Sequence, residues 1–135
     1  MTNPYISGLD KATANHQPLS PLGFIERSAS TYPDNVAVIH GEKRYKYAEF
    51  FNRCKRLASA LSKRCIGPGD TVAIIAPNSP AMLEAHYGVP ACKAILNTIN
   101  TRLDPSTIAF ILDHGESKVL ITDRELSSVV KEALT

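Results

Sequence analysis

Short apolar runs of strand-forming residues alternate with helical patterns along most of this chain. The clearest runs are Thr71–Ala76, Ala94–Asn100 and Lys118–Asp123. Between them, apolar residues recur every three or four positions, as on one face of a helix. Continuous apolar strands joined by helices are typical of a parallel sheet that is covered on both faces. The pattern therefore predicts an α/β fold with a partial parallel sheet flanked by helices.

A β-hairpin is predicted ahead of this alternating region. Val36–His40 and Lys43–Tyr47 are two strand-like runs, and Gly41–Glu42 provides the turn between them. The first residues of the chain show no periodicity, so residues 1–18 are interpreted as a mobile tail. The folded region is expected to span residues 19–135, and a length of 135 residues allows either one domain or a piece of a larger one.

Helix boundaries are predicted from capping residues and prolines. Ser20 and Asp104 are each followed directly by proline, the order expected for an N-cap and a first helical residue. The longest helical pattern runs from about Ala48 to Arg64. Another helix is expected to begin near Pro80 and to end or kink near Pro90, because proline lacks the N–H that the helix needs.

Composition excludes several classes of protein. Hydrophobic residues make up 44% of the chain and charged residues 21%, as in an ordinary globular domain. The net charge of +2 provides no broad field that would recruit nucleic acid or an anionic membrane. No apolar run approaches the length of a membrane span, and the first residues lack the apolar centre of a signal peptide. We expect an intracellular, reducing location, and neither nucleic acid nor a membrane span is predicted.

Three cysteines occur, at positions 54, 65 and 92. An odd number without a C-x-x-C spacing indicates neither a disulfide framework nor a zinc site. Cys54 and Cys65 are predicted to share one helix face, where eleven residues would separate them by roughly 16 Å. That distance is too long for a disulfide, whose Cα atoms lie within about 7 Å. The cysteines are therefore interpreted as buried structural thiols.

Four basic residues lie along the long predicted helix, on the side opposite its apolar face: Arg53, Arg56, Lys63 and Arg64. Such a strip can contact a phosphate-bearing ligand or nucleic acid, but it is more often a solvated helix face. No aromatic residues alternate with it to stack on bases, which disfavours nucleic-acid binding. We interpret the strip as a solvated face.

The segment Thr71–Leu83 has the strand–turn–helix order on which many enzymes cradle a phosphate. Its turn contains no glycine that would let the backbone wrap around phosphate oxygens. Pro77 and Pro80 donate no N–H, and Ser79 is expected to cap another N–H with its hydroxyl. We therefore predict that this corner is scaffold.

The segment Ile66–Asp70 contains a Gly-x-Gly pair. A dinucleotide-binding fingerprint needs a third glycine and must follow a strand and open a helix. Here the pair follows a predicted helix and precedes a strand. It is interpreted as a helix C-cap and a turn.

Other polar residues give weaker signals. Glu84 and His86 are two positions apart on a predicted helix, so they do not face each other. His114 is interpreted as a favourable group near the negative end of a helix. Asn97 and Asn100 either present their amides to a ligand or tie down a loop, and the sequence favours neither.

Taken in order, five segments resemble the start of the adenylate-forming acyl-CoA synthetases, the AMP-dependent synthetase and ligase family. These segments are Pro33–Phe50, Arg56–Leu61, Gly67–Val89, Ala94–Leu103 and Ser117–Asp123. No one segment is diagnostic alone, but five in register are hard to produce by chance. The stretches EAHYGVP and LNTINTRL look most like the plant-type acyl-activating enzymes of the medium-chain or aromatic-acid branch.

The resemblance implies part of the first subdomain of a ligase with a two-step reaction. A carboxylate attacks the α-phosphate of Mg²⁺-bound ATP to give an acyl-adenylate and pyrophosphate, and the thiolate of coenzyme A then displaces AMP. The family motifs that hold the phosphates and stabilise the developing charge lie downstream of the matched segments. No catalytic, cofactor-binding or metal-binding residue is therefore assigned to this chain. ATP, Mg²⁺, CoA and a small carboxylic acid are implied for the complete enzyme.

One position departs from the family pattern. Where the family commonly has Ala-Gly-Ala, this chain reads Cys92–Lys93–Ala94. If the glycine has a positive φ, lysine in its place costs about 1 kcal/mol. This departure therefore affects the expected conformation of the local turn, but it does not affect the expected fold.

Two hypotheses about function follow. In the first, the chain is the N-terminal fragment of an AMP-forming acyl-CoA ligase, inactive alone and either cytoplasmic or peroxisomal. In the second, it is a non-catalytic α/β interaction module that pairs with a full-length enzyme.

Overall fold

The computed structural model describes residues 8, 10–12 and 16–135. Most of the predicted tail over residues 1–18 lies outside those residues. The elements are, in chain order, α1 Pro21–Thr31, β1 Val36–His40, β2 Lys43–Lys46, α2 Tyr47–Ser62, β3 Thr71–Ile75, α3 Pro80–Ala91, β4 Ile95–Thr98, α4 Pro105–His114, β5 Ser117–Thr122, a 3₁₀ helix Arg124–Leu126 and α5 Ser127–Ala133. The predicted α/β fold, with a hairpin ahead of a parallel sheet, is confirmed.

Strand β3 is the centre of a three-stranded parallel sheet with the order β4-β3-β5. Thr71 of β3 lies in register with Ile95 of β4 and with Ser117 of β5. All residues of β3 are buried, because helices cover both faces of the sheet. This burial explains why the sequence of β3 is a continuous apolar run.

Alternate side chains of β3 enter two hydrophobic cores on opposite faces of the sheet. Val72 and Ile74 pack with residues of α2 and α3 on one face. Ala73 and Ile75 pack with residues of α4 and α5 on the other face. The side-chain period of two along a strand therefore joins both helical layers to the same central strand.

A third core attaches the β1–β2 hairpin to the helices. Its buried members are Ile25 of α1 with Phe50 and Cys54 of α2. The ring of Phe50 meets the ring of Tyr87 in α3 edge to face, with 5.6 Å between the centroids. This core holds the hairpin beside α3.

Helices α2 and α3 approach each other closely at Gly88. A Cβ atom at Gly88 would lie 2.8 Å from Cδ2 and 2.9 Å from Cβ of Leu57. Carbon atoms prefer separations of about 3.5–4.0 Å, so a larger residue would push the helices apart. Helix α3 ends at Ala91, which confirms the predicted end near Pro90 to within one residue.

Predicted helix caps are present at α1 and α4. The hydroxyl of Ser20 accepts a hydrogen bond from the N–H of Leu22 at 3.3 Å. The carboxylate of Asp104 accepts from the N–H of Thr107 at 3.0 Å. Hydrogen bonds from the hydroxyls of Ser106 and Thr107, together with this N–H, hold the pKa of Asp104 well below its ordinary value.

Three helices are followed by a non-glycine residue with a left-handed backbone. These residues are Cys65 with φ 60° after α2, Lys93 with φ 64° after α3 and Glu116 with φ 47° after α4. After α2, the N–H of Ile66 donates to the carbonyl oxygen of Leu61 at 3.1 Å, as in a Schellman motif. This backbone costs about 1–2 kcal/mol for a residue with a Cβ. Lys93 therefore has the positive φ that was the condition for its cost in place of the family's glycine.

The interpretation of Cys65 was wrong in two respects. Helix α2 ends at Ser62, and Cys65 beyond it is exposed instead of buried on a helix face. Gly67 is not the left-handed C-cap residue, because Cys65 occupies that position. Gly69, with φ 84°, does form the predicted turn into β3, and the carboxylate of Asp70 accepts from the N–H of Gly67 at 2.8 Å.

Candidate functional site

The carboxyl ends of β3 and β4 lie side by side at one edge of the sheet. Pro77 and Asn78 follow β3, and Asn100 and Thr101 follow β4. In open parallel sheets, ligands bind in the crevice outside the carboxyl ends of the strands. Two cavities lie at this edge, so we treat it as the candidate functional site.

The first cavity is apolar and has a volume of about 590 Å³. It lies between the hairpin, the start of α1 and α3. Val38 and Ile39 of β1 line it on one side, and Pro80 and Leu83 of α3 line it on the other. Among the described residues, no aspartate, glutamate, lysine or arginine lines this cavity.

The second cavity has a volume of about 580 Å³ and a more polar wall. It lies directly at the strand ends, where Asn78, Thr98, Asn100 and Thr101 provide amides and hydroxyls. In the described part of the chain, this wall also lacks acidic, lysine and arginine side chains. It therefore offers neutral hydrogen-bonding groups.

His86 lies between the two cavities, and it lines both of them together with Asn78 and Met82. Its Nδ1 atom is 2.8 Å from the carbonyl oxygen of Met82. Because a carbonyl oxygen only accepts, Nδ1 carries a proton and donates it. In the neutral ring Nε2 is then free of a proton and can accept a hydrogen bond. The shared wall thus contains an imidazole with a defined tautomer.

The proline-containing corner forms part of this site, but its helix cap differs from the prediction. Ser79 is the N-cap residue of α3, yet its hydroxyl makes no capping hydrogen bond. Pro80 is the first helical residue, as predicted. The predicted cap was therefore wrong, whereas the interpretation of the corner as scaffold stays a prediction.

Arg53 does not belong to a solvated strip, contrary to the prediction. Its Nε atom lies 2.5 Å from Oε1 of Glu84 in α3, and the side chains are only 29% and 11% exposed. Its guanidinium also lies over the ring of Tyr45, 4.8 Å from the centroid. The hydrogen bond to Glu84 raises the pKa of Arg53. The other three basic residues of the strip are exposed, as predicted.

Glu84 and His86 bind different partners, as their spacing on the helix predicted. Glu84 pairs with α2, whereas His86 bonds to the backbone of its own helix. His114 lies in the last turn of α4, also as predicted, and its ring stacks on Phe110 with 5.5 Å between the centroids. None of these three residues forms a catalytic pair with another.

The two asparagines have separate roles. Oδ1 of Asn100 accepts a hydrogen bond from the N–H of Arg102 at 2.9 Å, so Asn100 ties down its loop while its side chain lines the second cavity. Asn97 is half-buried within β4. A Cβ atom at Gly115 would lie 2.9 Å from Nδ2 of Asn97, so this amide packs inside the fold.

The cysteines differ in burial. Cys54 is buried, Cys92 is half-buried and Cys65 is exposed. Burial raises the pKa of the Cys54 thiol to about 12, so its nucleophilic thiolate form is suppressed. The interpretation as buried structural thiols is therefore confirmed for Cys54 and wrong for Cys65.

Among residues 8, 10–12 and 16–135, no group of three or more histidine, cysteine, aspartate or glutamate side chains is placed to hold a metal ion. In the same part of the chain, no helix has the length and apolar character to cross a bilayer.

The sequence interpretation considered His86 only as a partner of Glu84 and did not predict its place between two cavities. Its spacing from Glu84 carries no information, because its partner is the carbonyl of Met82, one helical turn earlier. The available signal was its place in the second turn of α3, the helix that follows β3 at the edge where parallel sheets bind ligands.

Sequence comparison identifies the family. The family model described as "AMP-binding enzyme" matches residues 25–135. A peroxisomal acetate/butyrate–CoA ligase of Arabidopsis thaliana is 50% identical over 96% of this chain. An acetate–CoA ligase of Humulus lupulus is 46% identical over the same share. The chain spans about a quarter of the length of these relatives, 23% of each.

Solved structures share the fold. A fatty acyl CoA synthetase of Mycobacterium tuberculosis has a TM-score of 0.78 and 30% identity, over 82% of this chain and 22% of that one. A benzoate CoA ligase from Burkholderia xenovorans has a TM-score of 0.81 over 87% of this chain and 24% of that one, and at 23% identity this likeness concerns the fold alone. The resemblance to plant-type acyl-activating enzymes is confirmed by the curated relatives. The chain belongs to the family of AMP-binding enzymes.

Proposed function

We propose that this chain forms the N-terminal part of the large domain of an AMP-forming acyl-CoA ligase, with residues 19–135 in that domain. The complete enzyme would join a small carboxylic acid to coenzyme A through an acyl-adenylate, with release of AMP and pyrophosphate. The observation that carries the proposal is the 50% identity, over 96% of the chain, to a protein named acetate/butyrate–CoA ligase. Because that relative is named peroxisomal, we also propose a peroxisomal location.

Within such an enzyme, this segment would act as scaffold. Its central strand anchors both helical layers, and the partly buried Arg53–Glu84 pair fastens α2 to α3. We assign no catalytic, nucleotide-binding or metal-binding residue to the segment. ATP, Mg²⁺ and CoA would be bound by the rest of the enzyme, so the segment alone is expected to be inactive.

A chimeric enzyme tests this proposal. The chain replaces the matching 129-residue segment of the Arabidopsis acetate/butyrate–CoA ligase. We expect the folded chimera to catalyse ATP–pyrophosphate exchange that depends on acetate or butyrate, and the chain alone to catalyse none. A folded chimera without exchange would contradict the proposed role, and exchange by the chain alone would contradict its inactivity.

The same assay distinguishes the proposed function from the alternative, in which the chain is an interaction module. In that case the chain, added as a separate protein, would bind the intact Arabidopsis ligase and alter its rate of exchange. Under the proposed function, the added chain leaves that rate unchanged, because the intact enzyme already contains this segment.

A further inference from the structure

The two cavities at the sheet edge differ in chemistry and adjoin each other at His86. Val38, Ile39 and Leu83 make one of them apolar, whereas neutral amides and hydroxyls line the other. Each has a volume within the range of about 300–1,000 Å³ that is typical of small-molecule sites. Together they form a site for a molecule with one apolar end and one polar end.

The apolar half is open to solvent at its hydrophobic residues. Ile39 is 65% exposed and Leu83 is 38% exposed on facing elements. Exposed apolar side chains that line a concave surface are typical of ligand or partner contact. The position of these residues beside a neutral polar cavity favours an amphipathic small molecule.

The charge of the site limits which polar end fits. No lysine or arginine from the described residues lines either cavity, so the walls offer a carboxylate or phosphate no permanent positive charge, and their basic groups are the imidazoles of His40 and His86. Since Nδ1 of His86 donates to Met82, the neutral ring presents Nε2 as an acceptor. An acceptor favours a ligand group that donates a hydrogen bond, such as an amide N–H or a hydroxyl.

We propose that the adjoining cavities bind an uncharged amphipathic molecule, with an alkyl or aryl group against Ile39 and Leu83 and an amide or hydroxyl head that donates to His86. This proposal rests on the described residues that line the two cavities, and it does not require the ligase assignment. Octanamide is a probe with both features. Octanoate has the same chain but a charged head that cannot donate.

Calorimetric titration of the 135-residue chain and of the chimera tests the site at about pH 8, above the ordinary titration range of histidine. We expect saturable binding of octanamide and at least tenfold weaker binding of octanoate. His86→Phe removes the acceptor and is expected to weaken octanamide binding by roughly five- to tenfold, the worth of one hydrogen bond. His86→Gln, which keeps an acceptor, is expected to retain most of the affinity.

Phe110→Ala is the matched control, because Phe110 is 66% exposed on α4 and lines neither cavity. Its affinity for octanamide is expected to equal that of the unchanged chain. Equal binding of octanoate, an unchanged affinity in His86→Phe or the absence of binding in both proteins would each overturn the proposal. Exchange activity of the chimera is measured separately, so failure of this site is distinguishable from failure of the proposed function.

Discussion

Removal of Arg53 leaves a buried carboxylate without its partner, so Arg53→Met is expected to destabilise the chain strongly. Breaking a buried ion pair by removal of one partner costs about 3–5 kcal/mol. Glu84 is only 11% exposed, but Arg53 is 29% exposed, so the lower end applies and we expect a loss of about 3 kcal/mol. The contact with Tyr45 contributes about 0.5–1 kcal/mol of this loss.

The converse change, Glu84→Gln, is expected to cost less. It leaves the more exposed arginine, which water can reach, and glutamine still accepts a hydrogen bond. We expect a loss of about 1–2 kcal/mol. The double variant closes a thermodynamic cycle, and a coupling energy of at least about 1 kcal/mol is expected because the two side chains are in direct contact.

Urea unfolding followed by circular dichroism measures these losses, since the chain contains no tryptophan for fluorescence. Lys46→Met is the control, because Lys46 pairs with Asp34 on the surface, where the side chains are 58% and 84% exposed. Its urea midpoint is expected to stay unchanged. Equal losses in Arg53→Met and Glu84→Gln, or a coupling energy below about 0.5 kcal/mol, would refute the reasoning from burial.

Three further outcomes are expected. Lys93→Gly relieves the left-handed strain and raises the free energy of unfolding by about 0.5–1 kcal/mol, and a lowered urea midpoint would contradict this. Gly88→Ala lowers the free energy of unfolding by about 1–2 kcal/mol, because the added Cβ clashes with Leu57 of α2. Gly23→Ala in α1 does not lower it, because no atom outside its own helix turn lies within 4 Å of the added Cβ. Cys65 reacts with a maleimide in the folded chain, whereas Cys54 reacts only after urea is added. Labelling of both cysteines in the folded chain would contradict the burial of Cys54.

Much of the fold follows from local sequence patterns. The apolar run of β3 predicts a strand buried on both faces, and the Ser-Pro and Asp-Pro pairs at Ser20 and Asp104 predict two helix starts. These signals work because the periodicity of burial and the chemistry of a cap involve residues close together in the chain.

Apart from the wrong cap at Ser79, the errors concern features that local patterns do not contain. Arg53 and Glu84 are 31 residues apart, so no helical spacing shows that they meet. Cys65 adopts a backbone that glycine normally provides, and a sequence pattern therefore assigns it to the preceding helix. The apolar cavity was not predicted for the same reason, because its walls come from a hairpin and a helix that are far apart in the sequence and are joined by the third core.

The central place of β3 also constrains how the chain is synthesised and folded. Its neighbours β4 and β5 follow it in the sequence, and β5 ends at Thr122. A nascent chain that has not yet extended past that residue holds an apolar strand with one ladder of amide and carbonyl groups still open. Such a ladder is a template for pairing with another molecule. Rapid synthesis of α4 and β5, or protection by a chaperone during translation, therefore helps to prevent such pairing. This protection is more important for this chain than for one whose central strand is synthesised last.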